Sequence, residues 1–177
     1  MTTLTPVMQK FILHWGEMGT RWGINRTVAQ VHALLFISPK PLTAEEIMET
    51  LSVARSNVST SLRELQNWGI IKMVHEMGDR REHFESLKDV WELFKLILTE
   101  RKRREIDPTI GVLKECLSAL DNGNSADRYQ KQRLSDMLEF FEAGTVCFND
   151  MNRLSPEALR KIGKLSGKVT KLLGLVS

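Results

Sequence analysis

The chain has 177 residues, 42% of them hydrophobic and 27% charged. That suits one folded domain or two small ones and argues against a disordered chain. The net charge of +3, from 25 Lys+Arg against 22 Asp+Glu, is too balanced to announce nucleic-acid binding, so any such argument must come from where the charges sit. No apolar run reaches the roughly 20 residues that span a bilayer, and the N-terminus lacks the basic start and small-residue cleavage site of a secretory signal. A cytoplasmic protein with no membrane role is expected, with Cys116 and Cys147 reduced and buried.

Apolar residues at helical spacing (Met8, Phe11, Ile12, Trp15, Met18) predict a first helix over 6–19, ended by Gly19. A second is predicted over 25–38, with Asn25 as N-cap, Val28, Val31, Leu34 and Leu35 buried, and Ser38-Pro39 as the stop. In "PLTAEEIMETL" the start signal is strong. Thr43 is an N-cap with Glu46 as its capping-box partner, and Leu42 and Ile47 can form a hydrophobic staple. This helix is short, and only "SVA" separates it from the next.

That next helix begins in "RSNVSTSLRELQNWG". Val58, Leu62 and Leu65 make one buried stripe, while Ser56, Thr60, Arg63 and Asn67 fall opposite, flanked by Asn57 and Ser59, with Arg55 at the N-terminal end. Gly69 is placed to end it in the left-handed conformation. Two strands, 70–76 and 82–87, follow around the turn "MGDRR", and His75 and His83 are expected as a solvated cross-strand pair.

The second half reads as all helix. Asp89 caps a helix over 89–106 that is apolar on more than one side; Asp107-Pro108 kinks or restarts it. A loop at "DNGNSAD", a helix over 128–152 and a last helix over 156–173, capped by Ser155, complete the chain. The fold class is therefore mainly α with a small β-hairpin: a winged helix-turn-helix domain over 1–88 and a helical dimerisation and effector region over 89–177.

Ser, Thr and Asn are poor helix-interior residues because their side chains compete for backbone hydrogen bonds. Crowded on one outward face, they have a use in a major groove, where short hydroxyl and amide groups reach base edges and phosphates. Arg55, Ser56, Asn57, Ser59, Thr60 and Arg63 are the expected DNA-contacting residues of the helix. Arg80 and Arg81 are those of the wing, within reach of phosphates or a narrow minor groove. The alternative is a winged-helix protein-interaction module without DNA. "RKRR" (101–104) either touches DNA backbone or is a solvated face. His14, His32, His75 and His83 show no metal spacing, and no phosphate loop or nucleophile elbow is present. No catalytic residue, metal or cofactor is expected, and the chain is not read as an enzyme.

The pieces "NRTVAQVHALLF", "LTAEEI", "RSNVSTSLRELQ-WG" and "GDRR-HFE--KDVW" lie within about residues 19–110. This run resembles the GbsR group of MarR-like transcriptional regulators. The resemblance implies a cytoplasmic homodimer that binds a double-stranded DNA operator and usually represses. One departure is the turn "LSVAR", where the family pattern has Gly and then a capping Ser: Ala54 cannot cap, so the helix starts at Ser56 or relies on backbone alone. A small-molecule effector is expected near Trp91 and Phe94, on the helix joining the two regions. Trp15 and Trp22 could join these two in a cage for a quaternary ammonium ligand, although ordinary core packing accounts for them better.

Overall fold

A computed structural model of the chain describes residues 4–120 and 125–163. The chain divides into two compact units, Met1–Leu96 and Ile97–Ser177. The division falls inside a helix, a few residues beyond the sequence-based domain boundary at 88/89.

The first unit begins with α1 (Pro6–Arg21), whose N-cap Thr5 accepts the Met8 N–H, and α2 (Arg26–Ile37), whose N-cap Asn25 accepts the Thr27 N–H at 2.8 Å. Gly19 does not end α1. A Cβ there would lie 2.5 Å from the Cβ of Ala29, so Gly19 is the point of closest approach between α1 and α2. The helix runs on to Arg21, and Gly23, at φ +76°, takes the left-handed turn instead.

α2 is buried along almost its whole length, with Val31, Ala33 and Leu34 fully enclosed. Around it lie Leu42, Ile47, Val58, Leu65 and Ile70. His32 belongs to this core. Its ring lies 6.3 Å from that of Trp15 and 6.1 Å from that of Phe36, and its Nε2 has no hydrogen-bond partner among the described residues. Trp15 is half-buried and packs against this core, with its ring 5.5 Å from that of Phe11. The C-terminus of α2 is closed from far along the chain: the Lys88 ammonium donates to the carbonyls of Leu35, Phe36 and Ser38 at 2.8, 2.9 and 2.9 Å. A cation at a helix C-terminus also meets the negative end of the dipole.

α3 (Ala44–Leu51) has the expected capping box. Glu46 N donates to Thr43 Oγ1 at 3.2 Å, and Thr43 N donates to the Glu46 carboxylate at 2.8 Å. The turn to α4 (Arg55–Asn67) passes through Ser52 at φ 52°, a left-handed position that a glycine would take with less strain. α4 starts on backbone alone: Ala54 O accepts the N–H groups of Asn57 and Val58. Its end is a Schellman closure, with Gly69 N donating to Gln66 O, Ile70 N to Leu65 O, and Gly69 at φ +72°.

The sheet has three strands rather than two. β1 (Leu42–Thr43) and β2 (Ile71–Val74) flank β3 (His83–Ser86), both antiparallel to it, in the order β1-β3-β2. Leu42 and Met73 both pair with Phe84, one on each side. The expected His75–His83 pair does not form. His83 stands opposite Val74 and is buried, whereas His75 lies beyond the strand and is exposed.

α5 (Val90–Arg101) is capped by Asp89, whose Oδ1 accepts the N–H groups of Trp91 and Glu92. It passes into a π-turn (Lys102–Ile106), where the Asp107 N–H reaches back five residues to Lys102 O. α6 (Asp107–Ala119) then carries Pro108 in its first turn. Proline has no N–H and its ring crowds the carbonyl four residues back, so the ladder opens just before it. α7 (Ser125–Arg153) is tied to α6 by the Lys114–Glu142 pair at 2.8 Å. Ser155 accepts the Ala158 N–H, and 156–163 is helical; the rest of the expected last helix lies outside the described residues, as do residues 121–124 of the expected loop. Cys116 and Cys147 are free and exposed on the single chain, not buried. "RKRR" is largely spent on neighbouring carboxylates: Arg101 pairs with Glu105, Lys102 with Asp107 and Arg103 with Glu100.

Candidate nucleic-acid interface

Four buried residues, Val58, Ser61, Leu62 and Leu65, seat α4 on the core and thereby fix which side faces out. The outward side is the one expected: Ser56, Asn57, Ser59, Thr60 and Arg63 are all exposed. Arg55, at the start, lies 3.4 Å from Glu45 of α3, both groups well solvated. Among the described residues Arg63 has no carboxylate partner and is a cation available to an external one.

The wing is built differently at its two arginines. Arg80 is exposed and without a carboxylate partner among the described residues. Arg81 is held by Asp79 in a forked pair: Nε lies 3.0 Å from both carboxylate oxygens and Nη2 2.6 Å from Oδ2, while the Arg81 N–H donates to Oδ1 at 2.9 Å. The guanidinium and N–H of Arg81 hold the Asp79 carboxyl well below the usual carboxylate range, and Asp79 in turn raises the Arg81 guanidinium. Planar and bidentate, the pair fixes where the Arg81 side chain stands. His83 supports it from beneath, with Nδ1 3.0 Å from Arg81 O and Nε2 3.6 Å from Asp79 Oδ2. Gly78, at φ +85°, makes the hairpin turn that carries the pair outward.

Helix and wing meet at one concavity of about 370 Å³. Arg55, Ser59 and Arg63 line it from α4, and Arg81 from the wing. Ser56, Asn57, Thr60 and Arg80 are not among its lining residues. Sequence reasoning missed three polar residues that do line it, Gln66, Glu45 and Glu82, beside the apolar Ala44, Leu62 and Phe84. Gln66 was legible, being three residues after Arg63 and seven after Ser59 on the same helical face. Two carboxylates among three arginines make the concavity a mixed surface rather than a uniformly cationic trough. Such a surface offers acceptors for base amino groups as well as donors for phosphates and guanine edges. Trp91 is half-buried and Phe94 exposed on α5, and neither lines this concavity.

Among the described residues no helix is long and apolar enough to cross a membrane. Residues 22–82, the segment from the end of α1 to the wing, match the MarR family model. The chain is 23% identical over 165 residues to the HTH-type protein YvaV of Bacillus subtilis, covering 82% of this chain and 93% of that one. It is also 23% identical over 137 residues to the HTH-type transcriptional repressor GbsR of the same organism, covering 76% of each. A crystal structure of a transcriptional regulator superposes with a TM-score of 0.66 at 21% identity, over 83% of this chain and 96% of that one, which places the two in one fold.

Proposed function

We propose that the chain, whose residues 22–82 match the MarR family model, is a cytoplasmic, dimeric, sequence-specific DNA-binding repressor of transcription with a winged-helix fold. The observation that carries the reading is the shared concavity. There the unpartnered Arg63 of α4 and the Asp79-anchored Arg81 of the wing stand together beside hydroxyl, amide and carboxylate groups. α4 enters a major groove with Ser56, Asn57, Ser59, Thr60 and Arg63 toward the bases, and Arg55 serves the backbone at its end. The wing follows the adjoining backbone, with Arg80 free to neutralise a phosphate and Arg81 fixed in place. A dimer sets two such helices at half-sites about one helical turn apart. The exposed apolar side chains of the helical unit, among them Val112, Met137 and Val146, support a second copy as the partner.

Loss of DNA binding on demand requires a ligand that prefers one arrangement of the dimer. Trp91 and Phe94, on the helix that joins the units, remain the proposed place where it is sensed. Titration of the purified chain against duplexes from its own upstream DNA, at several salt concentrations, tests the reading. Specific binding that weakens linearly in log–log form with salt supports it; no binding to any duplex at low salt leaves the protein-interaction module.

A further inference from the structure

We propose that Glu45 is a built-in counter-ion of the DNA surface: its carboxylate holds Arg55 in the free chain and gives it up to a backbone phosphate on binding. Glu45 thereby sets how tightly the surface holds DNA of any sequence. The inference rests on the DNA-binding reading above and names a residue that tunes it.

The capping of α3 does not use Glu45. That work falls to Glu46, whose carboxylate accepts the Thr43 N–H at 2.8 Å and the Thr43 hydroxyl at 3.2 Å and also pairs with Lys40. Glu45, one residue earlier, lines the concavity between α4 and the wing. The sheet brings it there: Leu42 and Thr43 pair with Phe84 and His83, which sets the first turn of α3 beside the root of the wing. Its charge is felt on the wing itself, where the Arg81 guanidinium is raised chiefly by Asp79, with Glu46 and Glu45 adding to it.

The two arginine–carboxylate pairs of this surface differ in how easily they open. Arg81 is forked on Asp79, with Nη2 at 2.6 Å and its own N–H on the same carboxylate. Arg55 meets Glu45 through a single contact of 3.4 Å, with the Arg55 side chain 80% exposed and that of Glu45 47% exposed. A solvated single-contact pair is weak, and a phosphate can offer the guanidinium a bidentate partner in its place. The exchange still opposes binding twice, by the pair it opens and by the carboxylate it leaves beside a phosphate. Glu82, the other carboxylate of the concavity, has no cation within pairing distance among the described residues. It can repel a phosphate but has no partner to exchange, so the two carboxylates separate exchange from repulsion.

The test is a double-mutant cycle on a scrambled duplex, which requires no knowledge of the operator, repeated at several salt concentrations. Glu45→Gln is expected to tighten binding about three- to fivefold and to steepen the log–log salt slope by up to about one unit. Arg55→Ala is expected to weaken binding, and to cost about threefold more in the Glu45→Gln background than in the wild type, the coupling of an exposed ion pair. Glu82→Gln should also tighten binding but leave the cost of Arg55→Ala unchanged. A role for Glu45 confined to the dipole of α3 would lower thermal stability and leave the cycle without coupling. No tightening in Glu45→Gln, or an equal cost of Arg55→Ala in both backgrounds, overturns the counter-ion, while salt-dependent binding by the wild type keeps the DNA-binding reading. The same coupling with Glu82→Gln makes the effect one of net charge and also overturns it. A wild type that binds no duplex at low salt overturns the DNA-binding reading and this inference with it.

Discussion

His32 makes acid stability a sharp test of the core of the first unit. Burial, with the nearby Lys88 charge adding to it, lowers the His32 pKa from 6.5 to about 4. The unfolded chain therefore takes up a proton on this ring at higher pH than the folded one does. Stability is unaffected by His32 above pH 6.5, falls as pH drops below it, and has lost the whole contribution once pH passes 4. At about 1.4 kcal/mol per unit, the shift corresponds to roughly 3 kcal/mol. Carboxylates titrate over part of the same range, so the comparison is with His32→Leu, which keeps them and removes the imidazole. The assay is urea denaturation of both proteins at pH steps from 7.5 to 4. The wild-type curve is expected to fall more steeply below pH 6.5, with the gap widening to roughly 3 kcal/mol by pH 4. Parallel curves would mean that the ring is protonated in the folded state or solvated, and would refute its place between Trp15 and Phe36.

Three further outcomes follow from single contacts. Lys88→Met removes all three donors from the end of α2 and is expected to cost about 2 kcal/mol in denaturation experiments, with Lys88→Arg recovering part of it. Gly19→Ala forces α1 away from Ala29 and is expected to destabilise by about 1–3 kcal/mol; unchanged stability would contradict the close crossing. Asp79→Asn releases Arg81 and removes a negative charge from the wing. Scrambled duplex should then bind more tightly while the operator's advantage over it shrinks, and an unchanged ratio would show that anchoring Arg81 has no part in specificity.

Local signals were the legible ones. The Thr43–Glu46 box, the Val58–Leu62–Leu65 stripe and the left-handed Gly69 each depend on residues within one or two helical turns, and each is present as read. What the sequence hid depends on distant partners. Gly19 looks like a helix stop because Ala29, the side chain that requires it, lies on another helix. His83 looks solvated until Thr43 pairs with it from the other edge of the sheet, and Lys88 gives no sign that its ammonium closes a helix some fifty residues earlier. β1 went unseen because Thr43 already serves as the cap of α3 and Leu42, the residue before it, was read as a staple. The outward side of α4 was legible through its periodicity. Its meeting with the wing was not, since the concavity needs Glu45, Glu82 and Arg81 brought in from other elements. The Asp79–Arg81 pair, two residues apart, was within reach of sequence reasoning and was passed over.

The central claim is that α4 reads bases while the wing neutralises backbone. It is tested most directly by salt titrations of the operator and a scrambled duplex against wild type, Arg63→Ala and Arg80→Ala. Arg63→Ala is expected to lose roughly 1–3 kcal/mol on the operator and little on the scrambled duplex, as for a side chain paired with guanine. Arg80→Ala is expected to weaken both duplexes alike and to flatten the log–log salt slope by about one unit, as for one lost phosphate contact. Neither change should alter thermal stability, because both side chains are exposed. Wild-type affinity, specificity and salt slope in both variants would contradict the account and remove the surface from which the function was argued.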